Sequence, residues 1–95
     1  MWVFDYRNVE YKMESPGEGL LIQGEISNRS GQNFNSIVFR IVVFAKNIPL
    51  GNTTFTINGF PTRQTRYFET CIKDITDTKI VNSISRWEIY PESGY

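Results

Sequence analysis

The sequence contains no histidine. That removes the side chain most often used as a general base near neutral pH, and the commonest metal ligand. It contains one cysteine, Cys71, so no internal disulfide and no cysteine-pair metal or redox site can be assembled. With no histidine to activate its thiol, Cys71 reads as a small hydrophobe rather than a nucleophile. An excess of one charge is missing too. Ten Lys and Arg balance ten Asp and Glu, whereas a phosphate backbone demands a net basic face. No Gly-rich phosphate loop and no Ser-His-Asp set is present. There is no signal peptide, and no apolar run is long enough to span a bilayer as a helix. Nor does any segment repeat its apolar residues every 3.6 positions, so no helix is expected. These absences argue against an enzyme, a cofactor, a nucleic-acid partner and direct membrane insertion.

What is present is a single-domain length, residues 1–95, with seven Phe, five Tyr and two Trp. A chain of this size buries roughly 60–70% of its unfolded surface, enough for one core. Met1 directly before Trp2 reads as a start residue placed on a domain excised from a larger protein. The absence of a targeting signal then says little about compartment.

The strongest element is Ser36 to Lys46, SIVFRIVVFAK, a β-branched and aromatic run without Gly or Pro. Ile37, Phe39, Ile41 and Val43 share one face. Val38, Arg40, Val42 and Phe44 share the other. Arg40 makes the second face the outer one, because an unpaired charge in a small core is too costly. Around this strand, Leu20 to Asn28 alternates cleanly, with Ile22, Gly24, Ile26 and Asn28 on the inner side and Gln23, Glu25 and Ser27 outside. Gly24 predicts the close approach of a large side chain. In Trp2 to Glu14 the apolar parity switches from Trp2, Phe4 and Tyr6 to Val9, Tyr11 and Met13, as a bulge requires. Ser15 to Gly19 is a turn, and Asn28 to Asn35 is a loop. Asn47-Ile48-Pro49 is a break, Thr53 to Ile57 is an edge strand, and Asn58-Gly59-Phe60-Pro61 is a second break with a tight turn. Gln64 to Lys73 is a strand with Phe68, Thr70 and Ile72 inward and Tyr67, Glu69 and Cys71 outward. Asp74 to Asn82 is a polar connection. Ser83 to Tyr90 is the last strand, with Trp87 and Ile89 inward, ended by Pro91. Ile22, Ile26, Phe39, Ile41, Phe68 and Trp87 are the expected core. Six to seven short strands make an antiparallel immunoglobulin/fibronectin-III-like β-sandwich, with a closed barrel as the structural rival.

The order of signals resembles a known family. Ile22-x-Gly24-x-Ile26-x-Asn28 precedes a polar loop and a V-x-V-like strand. A turn ending in Leu50-Gly51, a short strand, the Pro61 turn and a strand with an aromatic follow. Over Leu20 to Ile72, with Trp87-Glu88-Ile89 as last strand, this resembles FxLYD-type domains, immunoglobulin-like sandwiches of bacterial and archaeal envelope or secreted proteins. It is also similar in layout to the late-embryogenesis-abundant type 2 sandwich. Val43-Phe44-Ala45 stands where the family carries Leu-Tyr-Asp, and Thr62 stands where a Gly follows the Pro. The resemblance implies a secreted or cell-envelope location and no catalysis.

One feature of the pattern points to function. Val38, Arg40, Val42 and Phe44 put three apolar side chains on an outer face. Either neighbouring elements cover them, or they dock another domain of the same parent protein or a second copy, since contiguous exposed apolar surface marks interaction sites. A rival reading is a carbohydrate- or ligand-binding module that uses Trp2, Tyr90 and Tyr95 as stacking rings. Asp74-x-x-Asp77 reads as a solvated turn rather than a calcium site. Asn28-Arg29-Ser30 and Asn52-Thr53-Thr54 match the N-glycosylation pattern, which arises easily by chance in an Asn- and Thr-rich chain.

Overall fold

The computed structural model describes residues 3–13, 15 and 17–95. The expected roles of Trp2, Glu14 and Pro16 lie outside these residues. Six strands form two antiparallel three-stranded sheets. They are β1 Phe4–Lys12, β2 Leu20–Asn28, β3 Phe34–Ala45, β4 Ile48–Phe60, β5 Thr65–Ile72 and β6 Arg86–Gly94, with one helix, α1 Thr78–Ser83, before the last strand. One sheet has the order β1-β2-β5 and the other β4-β3-β6. This is the antiparallel immunoglobulin/fibronectin-III-like sandwich, with six strands.

Alternation drives the layering. Ile37, Phe39, Ile41 and Val43 of β3 are fully buried, as are Leu20, Ile22 and Ile26 of β2. The expected core is present, with Trp87 partly buried against it rather than within it. Phe39 is the hub. Its ring meets Phe4 edge-on at 5.1 Å between centroids, stacks near Phe55 at 5.5 Å and crosses Phe60 at 6.5 Å. Phe55 in turn stacks on Phe68 of the other sheet at 4.6 Å. Offset and edge-on aromatic pairs add about 0.5–1.5 kcal/mol each beyond the area they bury.

The parity switch in β1 is a bulge. Register with β2 slips between Arg7 and Glu10, and Asn8 there takes φ 53°, a left-handed conformation that Asn tolerates better than most residues. The slip turns Val9 inward over Gly24. A methyl group on Gly24 would stand 3.0 Å from Phe68 Cε2 and 3.1 Å from Val9 Cα, so a larger residue there would push the ring or the bulge backbone outward.

Four local expectations are corrected. The Asn47-Ile48-Pro49 break is a two-residue turn at Lys46 and Asn47, with Ile48 and Pro49 already in β4; an edge strand tolerates the proline. Asn58-Gly59 makes no hairpin. β4 runs on through Gly59 at φ 62°, and the chain reverses over Pro61 to Gln64. Pro91 does not end β6, which continues to Gly94 past a register slip opposite Val38 and Phe39. The Asp74 to Asn82 connection contains α1, whose N-cap Asp77 accepts from the Lys79 N–H. Six residues are too few to show a helical period. The helix is held instead by Ile75 and Ile84 on either side of it, both buried.

Asn28 ends β2 in the core with no exposure and full hydrogen bonding. Its amide donates to the carbonyls of Gln32 and Phe60 at 2.9 and 3.0 Å. Its Oδ1 accepts from the Ser30 N–H and hydroxyl at 3.0 and 2.7 Å. Its backbone bonds Gln64 and Arg63. One side chain therefore ties the β2–β3 loop to the end of β4, and its backbone adds the β4–β5 turn. The cost of leaving a buried carbonyl unpaired is about 1–3 kcal/mol. Asn28→Ala is accordingly expected to lower unfolding free energy by at least that amount in a denaturant titration. A loss below about 0.5 kcal/mol, the range of an ordinary surface change, would refute the clamp.

Burial raises the pKa of the Tyr6 phenol well above its ordinary value. An unfolded tyrosine ionises near pH 10, so above that pH the unfolded chain releases a proton that the folded chain keeps, and stability falls as pH rises. Tyr6→Phe should flatten the alkaline limb of a stability–pH curve. An unchanged limb would place the alkaline loss elsewhere.

Candidate functional site

The outer face of the β4-β3-β6 sheet is built on the four residues singled out from the sequence. Val38, Arg40, Val42 and Phe44 all point outward from β3, and all four are half-buried. β4 sets Thr56, Thr54 and Asn52 beside Val38, Arg40 and Val42. β6 sets Tyr90, Glu88 and Arg86 beside Arg40, Val42 and Phe44.

Two arginines organise this face. Arg40 reaches both flanking strands. Its Nε and Nη2 donate to the two carboxylate oxygens of Glu92 at 3.0 and 3.2 Å, and its Nη1 donates to Asn52 Oδ1. A bidentate guanidinium–carboxylate pair fixes direction as well as charge. Arg86 covers the aromatic end. Its guanidinium carbon lies 3.9 Å from the centre of the Phe44 ring, its Nε donates to the Lys46 carbonyl at 3.1 Å, and its Nη1 pairs with Glu88 at 3.5 Å. A guanidinium over an aromatic face is attractive and shields the ring with an amphipathic stem.

The Phe44 ring is thus partly covered from within the chain, by a β6 arginine. Arg86 and Glu88 take the parity opposite the inward Trp87 and Ile89, but the sequence does not show that β6 lies beside β3. Glu92 was missed, because Pro91 read as the end of the strand. Tyr90, 44% exposed, is an accessible ring on this face.

The other surfaces differ. The outer side of β1-β2-β5 is polar, carrying Asp5, Arg7, Gln23, Glu25 and Glu69 among others. There the Tyr67 hydroxyl lies 3.0 Å from both Glu69 Oε2 and Gln23 Oε1, and its bond to the Glu69 carboxylate raises its pKa. Cys71 is partly exposed on this side, as expected from parity. At the Asn28 end, a polar cleft of about 440 Å³ is lined by Ser27, Arg29, Thr62 and Arg63 among others. Of the two glycosylation-pattern asparagines, Asn28 has its amide fully engaged inside the fold, whereas Asn52 is exposed on β4. Asp77 serves as the helix cap. Among the described residues no three acidic, cysteine or histidine side chains gather as a metal site, and no helix is long and apolar enough to cross a membrane.

Comparison with protein-family models, with curated proteins and with solved structures returns no match.

Proposed function

We propose that this chain is a non-catalytic β-sandwich module, a spacer or protein-interaction domain of a larger extracytoplasmic protein, and that it docks through the outer face of β4-β3-β6. The supporting observation is the contrast between its two outer faces. One is mostly charged and polar, and its exposed ring, Tyr67, is hydrogen-bonded to the Glu69 and Gln23 side chains. The other sets Val38, Val42 and Phe44 in a band framed by Arg40, Arg86 and Tyr90. Arginine and aromatic residues are the types enriched at interface centres. The partner in this reading is another domain of the same parent protein or a second copy. The secreted or envelope setting rests on the resemblance to FxLYD-type sandwiches. The second reading, a carbohydrate-binding module, rests on the exposed Tyr90 and Tyr95; it is supported if oligosaccharides shift the tyrosine fluorescence of the isolated chain.

Phe44→Asp tests the docking face. Because Phe44 is only half-buried, the variant is expected to retain its circular dichroism and a cooperative melt. Loss of a central aromatic contact should weaken docking to the neighbouring domain, or self-association, by about 2 kcal/mol, roughly 30-fold. A folded variant with unchanged association would remove the face from the interface. An unfolded one would make Phe44 part of the fold and leave the reading without its specific support.

A further inference from the structure

Each sheet has two edge strands, and three of the four edges carry features that block further pairing. β1 has Asp5, Arg7, Glu10 and Lys12 and is broken by its bulge. β5 has Arg66 and Glu69. β6 has Arg86, Glu88 and Glu92, together with Pro91 and a register slip. Charges, prolines and bulges are the usual means by which proteins keep sheet edges from adding strands.

β4 is the exception. It is the longest strand, 13 residues, and contains no charged side chain. Its proline, Pro49, and its register slip both fall in the first few residues. From Asn52 to Asn58 it pairs residue for residue with β3 and is rich in Thr, Phe and Ile. Among the described residues its backbone pairs only with β3 along this run. In an antiparallel ladder every second residue of an edge strand directs its N–H and C=O outward. The far end is closed by Arg66, whose Nη1 donates to the carbonyls of Asn58 and Gly59 at 3.4 and 3.0 Å.

We propose that β4 is a homodimerisation edge, and that two copies of this chain pair their β4 strands antiparallel about a two-fold axis at Phe55. A row of alternating outward donors and acceptors is matched by another strand. The composition of this run fits a second copy of itself. With the axis at Phe55, Thr54 faces the partner's Thr56 and Thr53 faces the partner's Ile57, and the pairing stops short of Asn58, whose carbonyl Arg66 holds. No like charges oppose, and Thr–Thr and β-branched pairs are among the favourable cross-strand combinations. Phe55 meets its own equivalent beside the open groove of about 310 Å³ between β4 and β5, which Phe55, Ile57 and Phe68 help line. The result is one continuous sheet, β6-β3-β4 joined to the partner's β4-β3-β6. Its outer edges are the two charged, proline-bearing β6 strands, so addition stops at two copies. Thr54 and Thr56 also border the proposed docking face, so backbone exchange along β4 and the Phe44→Asp variant are what separate edge pairing from docking through that face.

Sedimentation velocity from micromolar to millimolar protein is expected to show a concentration-dependent monomer–dimer equilibrium. T54K/T56K, at two exposed positions, sets like charges opposite each other and should weaken the dimer at least about tenfold. T54E/T56E should do the same. An equimolar mixture of the two variants should dimerise again, because the two-fold places each lysine against a glutamate. Amide hydrogen exchange on the wild-type chain should show protection rising with concentration within Thr53–Ile57 and not in β6, a readout that does not depend on the variants folding. Phe44→Asp should leave this dimer intact. A wild-type chain monomeric throughout, or homodimers of T54K/T56K as strong as wild type, would overturn the proposal. Association lost in Phe44→Asp but kept in T54K/T56K would overturn the edge and support the docking face instead.

Discussion

The structure depends on burying one face of β3. A strand paired on both sides cannot turn that face to solvent, and Ile37, Phe39, Ile41 and Val43 together carry more apolar surface than a 95-residue chain can leave wet. The second sheet exists to cover it. Each fully buried side chain of this kind contributes roughly 1.5–3 kcal/mol. Phe39 does more than fill volume, because its contacts with Phe4 and Phe55 lead from β3 to both sheets. The bulge in β1 and the bare backbone of Gly24 follow from the same requirement. Both allow large side chains to close over the centre.

Most of this was legible because it is written in period-two alternation. The parities of β2, β3 and β5 follow from where Gln23, Arg40 and Glu69 cannot go. The β1 bulge shows as a switch of parity, and Gly24 as a gap among isoleucines. The departures have a common origin: they depend on neighbours in space. Pro91 reads as a stop until its strand is seen to be an edge with a register slip. Asn58-Gly59 reads as a turn until Phe60 is seen to be buried in the core. α1 is too short for a period and is held by Ile75 and Ile84. Asn28 reads as a polar residue at a loop boundary, and nothing local reveals that its amide secures the end of β4.

The surface was less legible than the core for the same reason. Val38, Val42 and Phe44 were identifiable as outward and apolar from β3 alone. What surrounds them is set by other strands: Arg86 of β6 lies over Phe44, and Arg40 is tied to Glu92 of β6. A sheet face is a property of three strands, and its chemistry emerges only when the order β4-β3-β6 is known. The uncharged edge of β4 likewise acquires meaning only against the charged edges of β1, β5 and β6. Face and edge together give this small sandwich two distinct ways to meet other polypeptides, one through side chains and one through backbone.

The central claim is that the two sheets are held together through the Phe39 aromatic cluster. A double-mutant cycle between Phe4 and Phe39, each replaced by Leu, measures it most directly. Phe4 lies in β1 and Phe39 in β3, so their coupling spans the sandwich, and the leucine replacements limit the cavities left behind. The account predicts that the two losses of stability are non-additive, with a coupling of about 0.5–1.5 kcal/mol for an edge-on ring pair. Additivity within about 0.3 kcal/mol, the behaviour of independent sites, would contradict it.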